Sequence, residues 1–249
     1  MTSTLVFLHG LGGSGRIWEK QRRHFEPLID VLAWTAPGYG GRPLPDPLTF
    51  DTLSDALLAD LDERGTGKAI LVGHSLGGML AQTVVARAPD RVAALGLIST
   101  SPAFGDPKGE FQQKFIRARL DPLDEGKSMA EIAVPATAAM IGENPDREAI
   151  ALAEEALAAT PETTYRAYID LLGTFDARAT LSSIACPTFI AVGEHDKASP
   201  PIVSEKMSQK VAGSHYEFFP TVGHMLPFEQ PEAFNRALEA FLTRHGLIA

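Results

Sequence analysis

Hydrophobic residues fall into short runs along this chain, and the runs alternate with longer stretches in which apolar positions recur at helical spacing. The short runs are rich in β-branched and aromatic residues, and most are continuously apolar, which is typical of strands buried on both faces. They predict strands at residues 4–8, 31–34, 69–73, 92–98, 188–193 and 215–219. Strands that alternate with helices indicate a mainly parallel, six-stranded α/β sheet flanked by helices.

The helical stretches have clear beginnings and ends. Leu53, Leu57 and Leu61 share one face of a predicted helix that Gly65 stops. The last helix is predicted to begin at Pro231, because proline suits the first turn, and to end by Gly246.

One interval interrupts the alternation of strands and helices. It shows no strand pattern, and it predicts several helices, at residues 111–119, 129–141, 147–159 and 163–172. An insertion after the fourth strand would lie above the carboxyl ends of the strands, where open α/β sheets bind ligands. We therefore expect a helical cap at residues 101–178, inserted into a core made of residues 1–100 and 179–249.

Composition narrows the class of protein. The chain has 249 residues, of which 45% are hydrophobic and 21% charged, as in an ordinary globular protein that folds without a disulfide or metal. Cys186 is alone, so neither an internal disulfide nor a thiolate zinc site is expected. Residues 1–10 lack the basic region of a signal peptide, and the uncharged stretch at 69–86 is too polar for a membrane span. We therefore expect a cytoplasmic protein.

The charge balance bears on possible partners. The 22 Lys and Arg residues against 31 Asp and Glu residues give a formal net charge of −9, and no run of basic residues interrupts this excess. Such a surface repels nucleic acid. We expect a small-molecule substrate, no nucleic-acid or membrane partner, and a monomer or homodimer.

The strongest chemical signal is Gly-His-Ser-Leu-Gly-Gly at residues 73–78, between a predicted strand and a predicted helix. This G-x-S-x-G pattern is typical of a sharp turn that lifts a serine hydroxyl, here that of Ser75, into a site. The N–H of Leu76, at the start of the helix, is left free to donate to an oxyanion. A solvent-exposed serine in a glycine-rich turn is the alternative, and the flanking elements favour a nucleophile.

A serine nucleophile needs a base to take its proton and a carboxylate to orient that base. Among the seven histidines, His224 lies just after the last predicted strand, in a loop that would return to the carboxyl edge of the sheet. His9 is expected to shape its own loop, and His74 to point away from the site. Position therefore selects His224 as the base.

Two acids in the loop after the fifth strand could orient the histidine. Glu194 and Asp196 are both within reach of such a site, and the chain order of serine, acid and histidine fits this geometry. A metal site made of residues 194–196 is disfavoured, because consecutive loop residues rarely converge on one ion.

The loop after the first strand, residues 9–15, is expected to supply the second oxyanion donor, the N–H of Leu11. This loop also contains Gly-x-Gly-x-x-Gly, a pattern that binds dinucleotides when an acid ends the second strand. Here the second strand ends Ala-Trp-Thr-Ala-Pro at residues 33–37. We therefore expect no nucleotide and no other cofactor.

Further short motifs accompany the serine, at residues 9–10 (His-Gly), 37–40 (Pro-Gly-Tyr-Gly), 193–200 (Gly, Asp and Pro), 223–224 (Gly-His) and 229–231 (Glu-Gln-Pro). Together they resemble the α/β-hydrolase superfamily across nearly the whole chain, and most of all its small esterases and 3-oxoadipate enol-lactonase type enzymes. The resemblance implies that Asp196, rather than Glu194, is the acid. Members usually have an antiparallel strand pair before the His-Gly strand, whereas this chain begins at that strand.

Several functions share this set of residues. Hydrolysis of a carboxylic ester or lactone through an acyl-enzyme is the first hypothesis, and a serine at position 75 disfavours the relatives with an aspartate nucleophile. Carbon–carbon hydrolases commonly have Asn where this chain has His74. A lyase of the succinyl-cyclohexadiene carboxylate synthase type usually has Arg where this chain has Met79. Besides hydrolases and a lyase, a third possible class is a ligand receptor without enzymatic turnover.

The residues beside the motifs suggest an apolar pocket. Trp18, Met79 and Met225 are the candidate substrate contacts, and Arg16 and Arg42, the nearby cations, are expected at the solvated surface. A mainly apolar cap predicts faster hydrolysis of small or medium uncharged acyl groups than of long lipids or free acids.

Overall fold

The computed structural model describes residues 3–248 and contains a six-stranded parallel sheet in the order β2-β1-β3-β4-β5-β6. The strands are β1 (Thr4–Leu8), β2 (Val31–Trp34), β3 (Ala69–His74), β4 (Val92–Ile98), β5 (Thr188–Gly193) and β6 (His215–Phe219). Every predicted strand is confirmed, and β3 extends one residue further than expected. The α/β fold class is therefore confirmed.

The strand order changes direction at β1. The chain passes from β1 to β2 on one side and then to β3 on the other, where Leu8 pairs with Gly73. In open parallel sheets the loops at such a switch point diverge and leave a crevice for a ligand. The loops after β1 and β3, which carry the oxyanion and serine motifs, therefore flank one crevice.

Helices cover both faces of the sheet. They are α1 (Glu19–Phe25), α2 (Phe50–Glu63), α3 (Leu76–Arg87), α4 (Glu110–Asp124), α5 (Met129–Ala138), α6 (Arg147–Ala158), α7 (Glu162–Leu172), α8 (Pro201–Lys210), α9 (Leu226–Glu229) and α10 (Pro231–Arg244). The side chains of α2, α3 and α8 pack on one face of the sheet, and those of α1 and α10 pack on the other. Alternate residues of β1 follow this division, since Val6 faces the first cluster and Phe7 the second.

The helices α4 to α7 all lie between β4 and β5 and form the helical segment 101–178. A single antiparallel bridge between Ala103 and Asp176 joins the two ends of this segment. The segment has a small apolar cluster of its own, which includes Ile132, Leu157 and Tyr165. None of the helices within residues 3–248 is long and apolar enough to cross a membrane.

Helix α4 is longer than predicted, because it continues through Pro122 to Asp124. A proline removes one backbone hydrogen bond and crowds the carbonyl four residues earlier. That carbonyl belongs to Ala118, an exposed residue, so water can satisfy it. Pro122 therefore does not end helix α4, which runs five residues beyond the predicted end at residue 119.

Two buried histidines lie at the ends of the central strands. His9 follows β1, where its Nδ1 donates to the carbonyl oxygen of Gly10 at 2.8 Å and its Nε2 accepts from the N–H of Ala36 at 3.0 Å. His74 ends β3 and is also buried. Burial lowers the pKa of His9 to about 4 and the pKa of His74 to about 3. Both rings are therefore neutral at pH 7.

This burial predicts a specific acid sensitivity. Histidines of the unfolded chain have a pKa of about 6.5, so below this pH they bind protons while the buried histidines of the folded protein stay neutral. The free energy of unfolding therefore falls as pH drops from about 6.5 toward 4. The loss approaches ~3 kcal/mol for each histidine at the low end. Urea unfolding at several pH values measures it, with His9→Gln expected to flatten the slope.

The matched control is His24→Gln, at a partly exposed histidine on α1 that hydrogen-bonds Glu239. Carboxylates contribute to the pH dependence of unfolding in the wild type and in both variants. The difference in slope between His9→Gln and His24→Gln therefore reports the contribution of the buried histidine. A pH slope in His9→Gln equal to that of the wild type would contradict the neutral, buried state of His9.

Candidate active site

Ser75 occupies the turn between β3 and α3. Its backbone has φ 54° and ψ −117°, a conformation that costs a residue with a side chain of order 1–3 kcal/mol. The surrounding chain holds it there: the N–H of Ser75 donates to the carbonyl oxygen of Ile98 at 2.9 Å, and the hydroxyl of Thr100 donates to the carbonyl oxygen of Ser75 at 2.7 Å.

The glycines of the motif allow the strand and the helix to touch. A Cβ at Gly73 would lie 2.2 Å from the carbonyl oxygen of Gly77, and a Cβ at Gly77 would lie 2.2 Å from the carbonyl oxygen of Leu8. Backbone atoms cannot move aside as a flexible side chain can. Only glycine therefore fits at either position.

Three loops bring three side chains into one hydrogen-bonded line. His224 Nε2 lies 3.0 Å from Ser75 Oγ, and His224 Nδ1 lies 2.9 Å from each carboxylate oxygen of Asp196. His224 and Asp196 are buried. Because an ionised carboxylate only accepts hydrogen bonds, Nδ1 carries the proton and Nε2 is left to accept the serine hydroxyl.

The same geometry separates the two candidate acids. Asp196 Oδ1 also accepts the N–H groups of Ala198 at 2.9 Å and Ser199 at 2.8 Å, which fix the carboxylate beside the imidazole. Glu194 is exposed, and its carboxylate accepts the N–H of Thr221 at 2.9 Å. The structure thus pairs His224 with Asp196.

His74 holds the backbone of His224 through a hydrogen bond. Its Nε2 donates to the carbonyl oxygen of His224 at 2.8 Å, and the two ring centroids are 5.0 Å apart. The sequence placed His74 beside the serine but gave no sign of this bond, which spans 149 intervening residues along the chain.

Two residues that line the site have backbone N–H groups without a hydrogen-bond partner in the described part of the chain. These N–H groups belong to Leu76, the first residue of α3, and to Leu11, in the loop after β1, and both residues line the same cavity as Ser75. The N-terminus of a helix carries partial positive charge. The two predicted oxyanion donors are therefore placed beside the serine.

The cavity above Ser75 has a volume of about 840 Å³. One wall comes from the loops at the carboxyl ends of the strands, including Met225, and from the start of helix α3, including Met79; the other comes from the helical segment 101–178. Four aromatic residues of that segment line the cavity, namely Phe104, Phe111, Phe115 and Tyr165. Tyr168 is buried instead, and its hydroxyl donates to the carbonyl oxygen of Pro37.

Trp18 does not line this cavity, which corrects its placement among the candidate substrate contacts. Its ring is fully buried, stacks on Phe7 with centroids 4.8 Å apart, and meets the ring of Phe228 edge-on at 4.9 Å. The short helical turn Gly15–Trp18 directs Ile17 into the cavity and Trp18 into the core. Proximity in sequence to the glycine-rich loop was therefore misleading.

The two cations considered beside the motifs also lie outside the cavity. Arg42 pairs with Asp60 at 2.7 Å, and Arg16 is exposed with its guanidinium 3.8 Å from the carboxylate of Glu155. In the part of the chain that the structure describes, no group of three or more His, Cys, Asp and Glu side chains is arranged to hold a metal ion.

Glu229 is a buried acid for which the sequence suggested no role. Its Oε2 accepts the N–H groups of Gly142 at 2.6 Å and Gly223 at 3.0 Å, and its Oε1 accepts that of Met225 at 2.9 Å. Burial raises its pKa, and these N–H groups oppose the shift. The carboxylate thus ties both neighbours of His224 to the helical segment 101–178.

We expect Glu229→Gln to destabilise the protein by about 1–3 kcal/mol, because an amide group in that position turns N–H donors toward backbone N–H groups. Loosening of the His224 loop should also lower kcat at temperatures where the variant stays folded. Chemical denaturation and an esterase assay measure the two effects. Glu232→Gln, at an exposed acid in the first turn of α10, is the control, and equal stability of the two variants would refute the role of Glu229.

Comparison with known proteins identifies the family of this chain. A family model described as the alpha/beta hydrolase family matches residues 5–237. Lipase LipV of Mycobacterium tuberculosis is 32% identical over 235 residues, which cover 91% of this chain and 88% of that protein. The 3-oxoadipate enol-lactonase 2 of Acinetobacter baylyi is 26% identical over 96% of this chain and 88% of its own. A malate-bound thermophilic esterase from Thermogutta terrifontis superposes with a TM-score of 0.86 at 25% identity, covering 98% of this chain and 91% of its own. The chain belongs to the alpha/beta hydrolase family.

Proposed function

We propose that this protein hydrolyses carboxylic esters or lactones of small to medium size through an acyl-enzyme formed on Ser75. The observation that carries the proposal is the hydrogen-bonded line of Ser75, His224 and Asp196, which opens into a cavity beside two unpaired N–H groups. The names of the relatives, a lipase, an enol-lactonase and an esterase, support the substrate class, since each denotes cleavage of a carboxylic ester bond.

In the first half of the reaction, Ser75 Oγ attacks the carbonyl carbon while His224 Nε2 takes its proton. The N–H groups of Leu11 and Leu76 donate to the oxyanion of the tetrahedral intermediate, and Asp196 stabilises the imidazolium. When the intermediate collapses, His224 gives the proton to the departing alkoxide. The alcohol of an ester leaves, whereas that of a lactone stays attached to the acyl group.

In the second half, a water molecule gives a proton to His224 Nε2 and attacks the carbonyl carbon of the acyl-serine. The same N–H groups receive the second oxyanion. Collapse breaks the bond to Ser75 Oγ, and His224 returns the proton to the serine. The products are a carboxylic acid and an alcohol, or one hydroxy acid from a lactone.

The helical segment 101–178 acts in this proposal as a cap over the reacting bond. Its aromatic residues line the same cavity as Ser75 and limit the length of substrate chain that fits. The volume of about 840 Å³ suits a small or medium substrate, since sites for such ligands are roughly 300–1,000 Å³.

The first test of this function removes the nucleophile. Ser75→Ala should lower kcat on p-nitrophenyl esters by a factor on the order of 10⁶, because without Oγ no acyl-enzyme forms. A fluorophosphonate should add one phosphonyl group to the wild type at Ser75, visible by intact mass, and none to the variant. Comparable turnover by the variant would remove Ser75 from the mechanism, and a wild type inert toward every ester and lactone would favour a receptor.

A second test distinguishes the two acids. In Asp196→Asn, the N–H groups of Ala198 and Ser199 should hold the amide oxygen and leave the amide NH₂ facing His224 Nδ1. The ring must then carry its proton on Nε2 and no longer accepts from the serine, so kcat should fall on the order of 10⁴. Glu194→Gln, the matched change in the same loop, should cost far less. The reverse order in esterase rates would assign the acid to Glu194.

A further inference from the structure

The lining of the cavity differs in charge from the rest of the protein. The chain carries a formal net charge of −9, yet no Asp or Glu within residues 3–248 lines the cavity, whereas four cationic residues do, namely Lys114, Arg119, Arg178 and Lys197. Lys114 pairs with Glu110 at 2.7 Å and Arg178 with Asp176 at 2.5 Å, and both side chains extend largely into solvent. Their charges are therefore compensated.

Within the described chain neither Lys197 nor Arg119 pairs with a carboxylate, but Lys197 is exposed to solvent, whereas Arg119 is not. It lies on α4, partly buried, with its guanidinium carbon 3.4 Å from the centroid of the Phe115 ring. Nη1 donates to the carbonyl oxygen of Phe115 at 3.0 Å, and Nη2 lies 3.8 Å from the sulfur of Met140. Since a guanidinium has five N–H donors, most of its hydrogen-bonding capacity is unused.

Of the two acids in the last turn of α4, Asp121 forms no ion pair with Arg119 within the described residues, and Asp124 is already engaged. Asp124 pairs with Arg166 at 2.7 Å. The surroundings of Arg119 are apolar, and burial lowers its pKa. Burying a cation in the apolar lining of a cavity without a counter-ion costs free energy. An anionic ligand paired with the guanidinium would remove that cost.

Arg119 lines the same cavity as Ser75 and His224. Met140, which it contacts, accepts the backbone N–H of His224 at 2.7 Å. Tyr165 lines the same cavity, and its ring lies against Gly12, the residue after Leu11. An ester held at Ser75 therefore shares one cavity with this guanidinium, and its remaining chain has to lie within the same lining.

We propose that Arg119 binds a carboxylate carried by the substrate at the end remote from the reacting bond. The preferred substrates are then half-esters of dicarboxylic acids, or lactones with a free carboxylate. A carboxylate fits the planar fork of a guanidinium with two parallel hydrogen bonds. This inference rests on the hydrolase function proposed for Ser75, and it reverses the expectation from sequence that free-acid substrates are disfavoured.

The test compares two substrates that differ only in charge. One is the mono-p-nitrophenyl ester of adipic acid, and the other is the matching ester of adipic acid monoamide. The wild type should prefer the acid in kcat/KM, and Arg119→Met should lose about 10- to 100-fold on the acid, mainly through KM, with little change on the amide. Arg119→Lys should keep part of the preference, and Lys114→Met, at a paired cation of the same helix, should keep all of it.

Turnover of the monoamide ester shows whether each variant is folded and whether Ser75 still cleaves an ester. Equal losses on acid and amide in both Arg119→Met and Arg119→Lys would show that the residue only packs on Phe115, and would overturn the inference while the hydrolase function stands. A wild type with no preference for the acid would also overturn it.

A binding measurement keeps the two proposals separate. Adipate should raise the Tm of Ser75→Ala and should not raise that of the double variant Ser75→Ala with Arg119→Met. Because that protein lacks the nucleophile, this result does not depend on turnover. An equal shift of Tm in both proteins would overturn the role of Arg119, whatever the esterase assays show.

Discussion

The site depends on the contact between the backbones of Gly73 and Gly77. The position of a Cβ at Gly73 lies 2.2 Å from the carbonyl oxygen of Gly77, so strand β3 and helix α3 meet with no side chain between them. At this close approach Ser75 has a backbone conformation that a serine rarely adopts, and Ser75 and Leu76 line the same cavity. Strain of this size persists only where the surroundings determine the geometry. Here β3 lies between β1 and β4 in the middle of the sheet, and the carbonyl oxygens of Ile98 and Ser75 are both engaged in hydrogen bonds that hold the turn.

The imidazole of His224 sits on a loop, and buried hydrogen bonds give that loop the rigidity of a regular element. His74 binds its carbonyl oxygen, the carbonyl oxygen of Met140 accepts its N–H, and Glu229 accepts the N–H groups of its two neighbours. Two of these partners connect to the helical segment 101–178, since Met140 belongs to it and Glu229 also binds Gly142. Hydrogen bonds therefore connect the His224 loop to the segment that forms one wall of the cavity. A displacement of that segment would also displace His224.

The strands were predictable because burial on both faces leaves a simple signature, a short apolar run between polar turns. The last strand, β6, fits less well, since Phe218 is exposed at the edge of the sheet. Trp18 shows why proximity in sequence to a motif does not identify a substrate contact. A large apolar residue beside a glycine-rich loop can face either the site or the core, and a shift of one residue along a tight helical turn decides between them. Arg119 gave no sequence signal, and Glu229 belonged to a motif of the family resemblance without an assigned role. The environment of each decides its importance: Arg119 is a cation without a counter-ion, and the carboxylate of Glu229 accepts three backbone N–H groups.

The sequence by itself determined the order of strands and helices, the turn at Ser75 and the free N–H of Leu76, because each depends on residues adjacent along the chain. The pairing of His224 with Asp196, the bond from His74, the anchoring by Glu229 and the lone charge of Arg119 were decided only by the tertiary structure. Each of these joins or isolates groups from separate loops and helices, and their energies depend on distance and burial. Those quantities exist only once the sheet has brought its loops to one edge and the helical segment has closed over them.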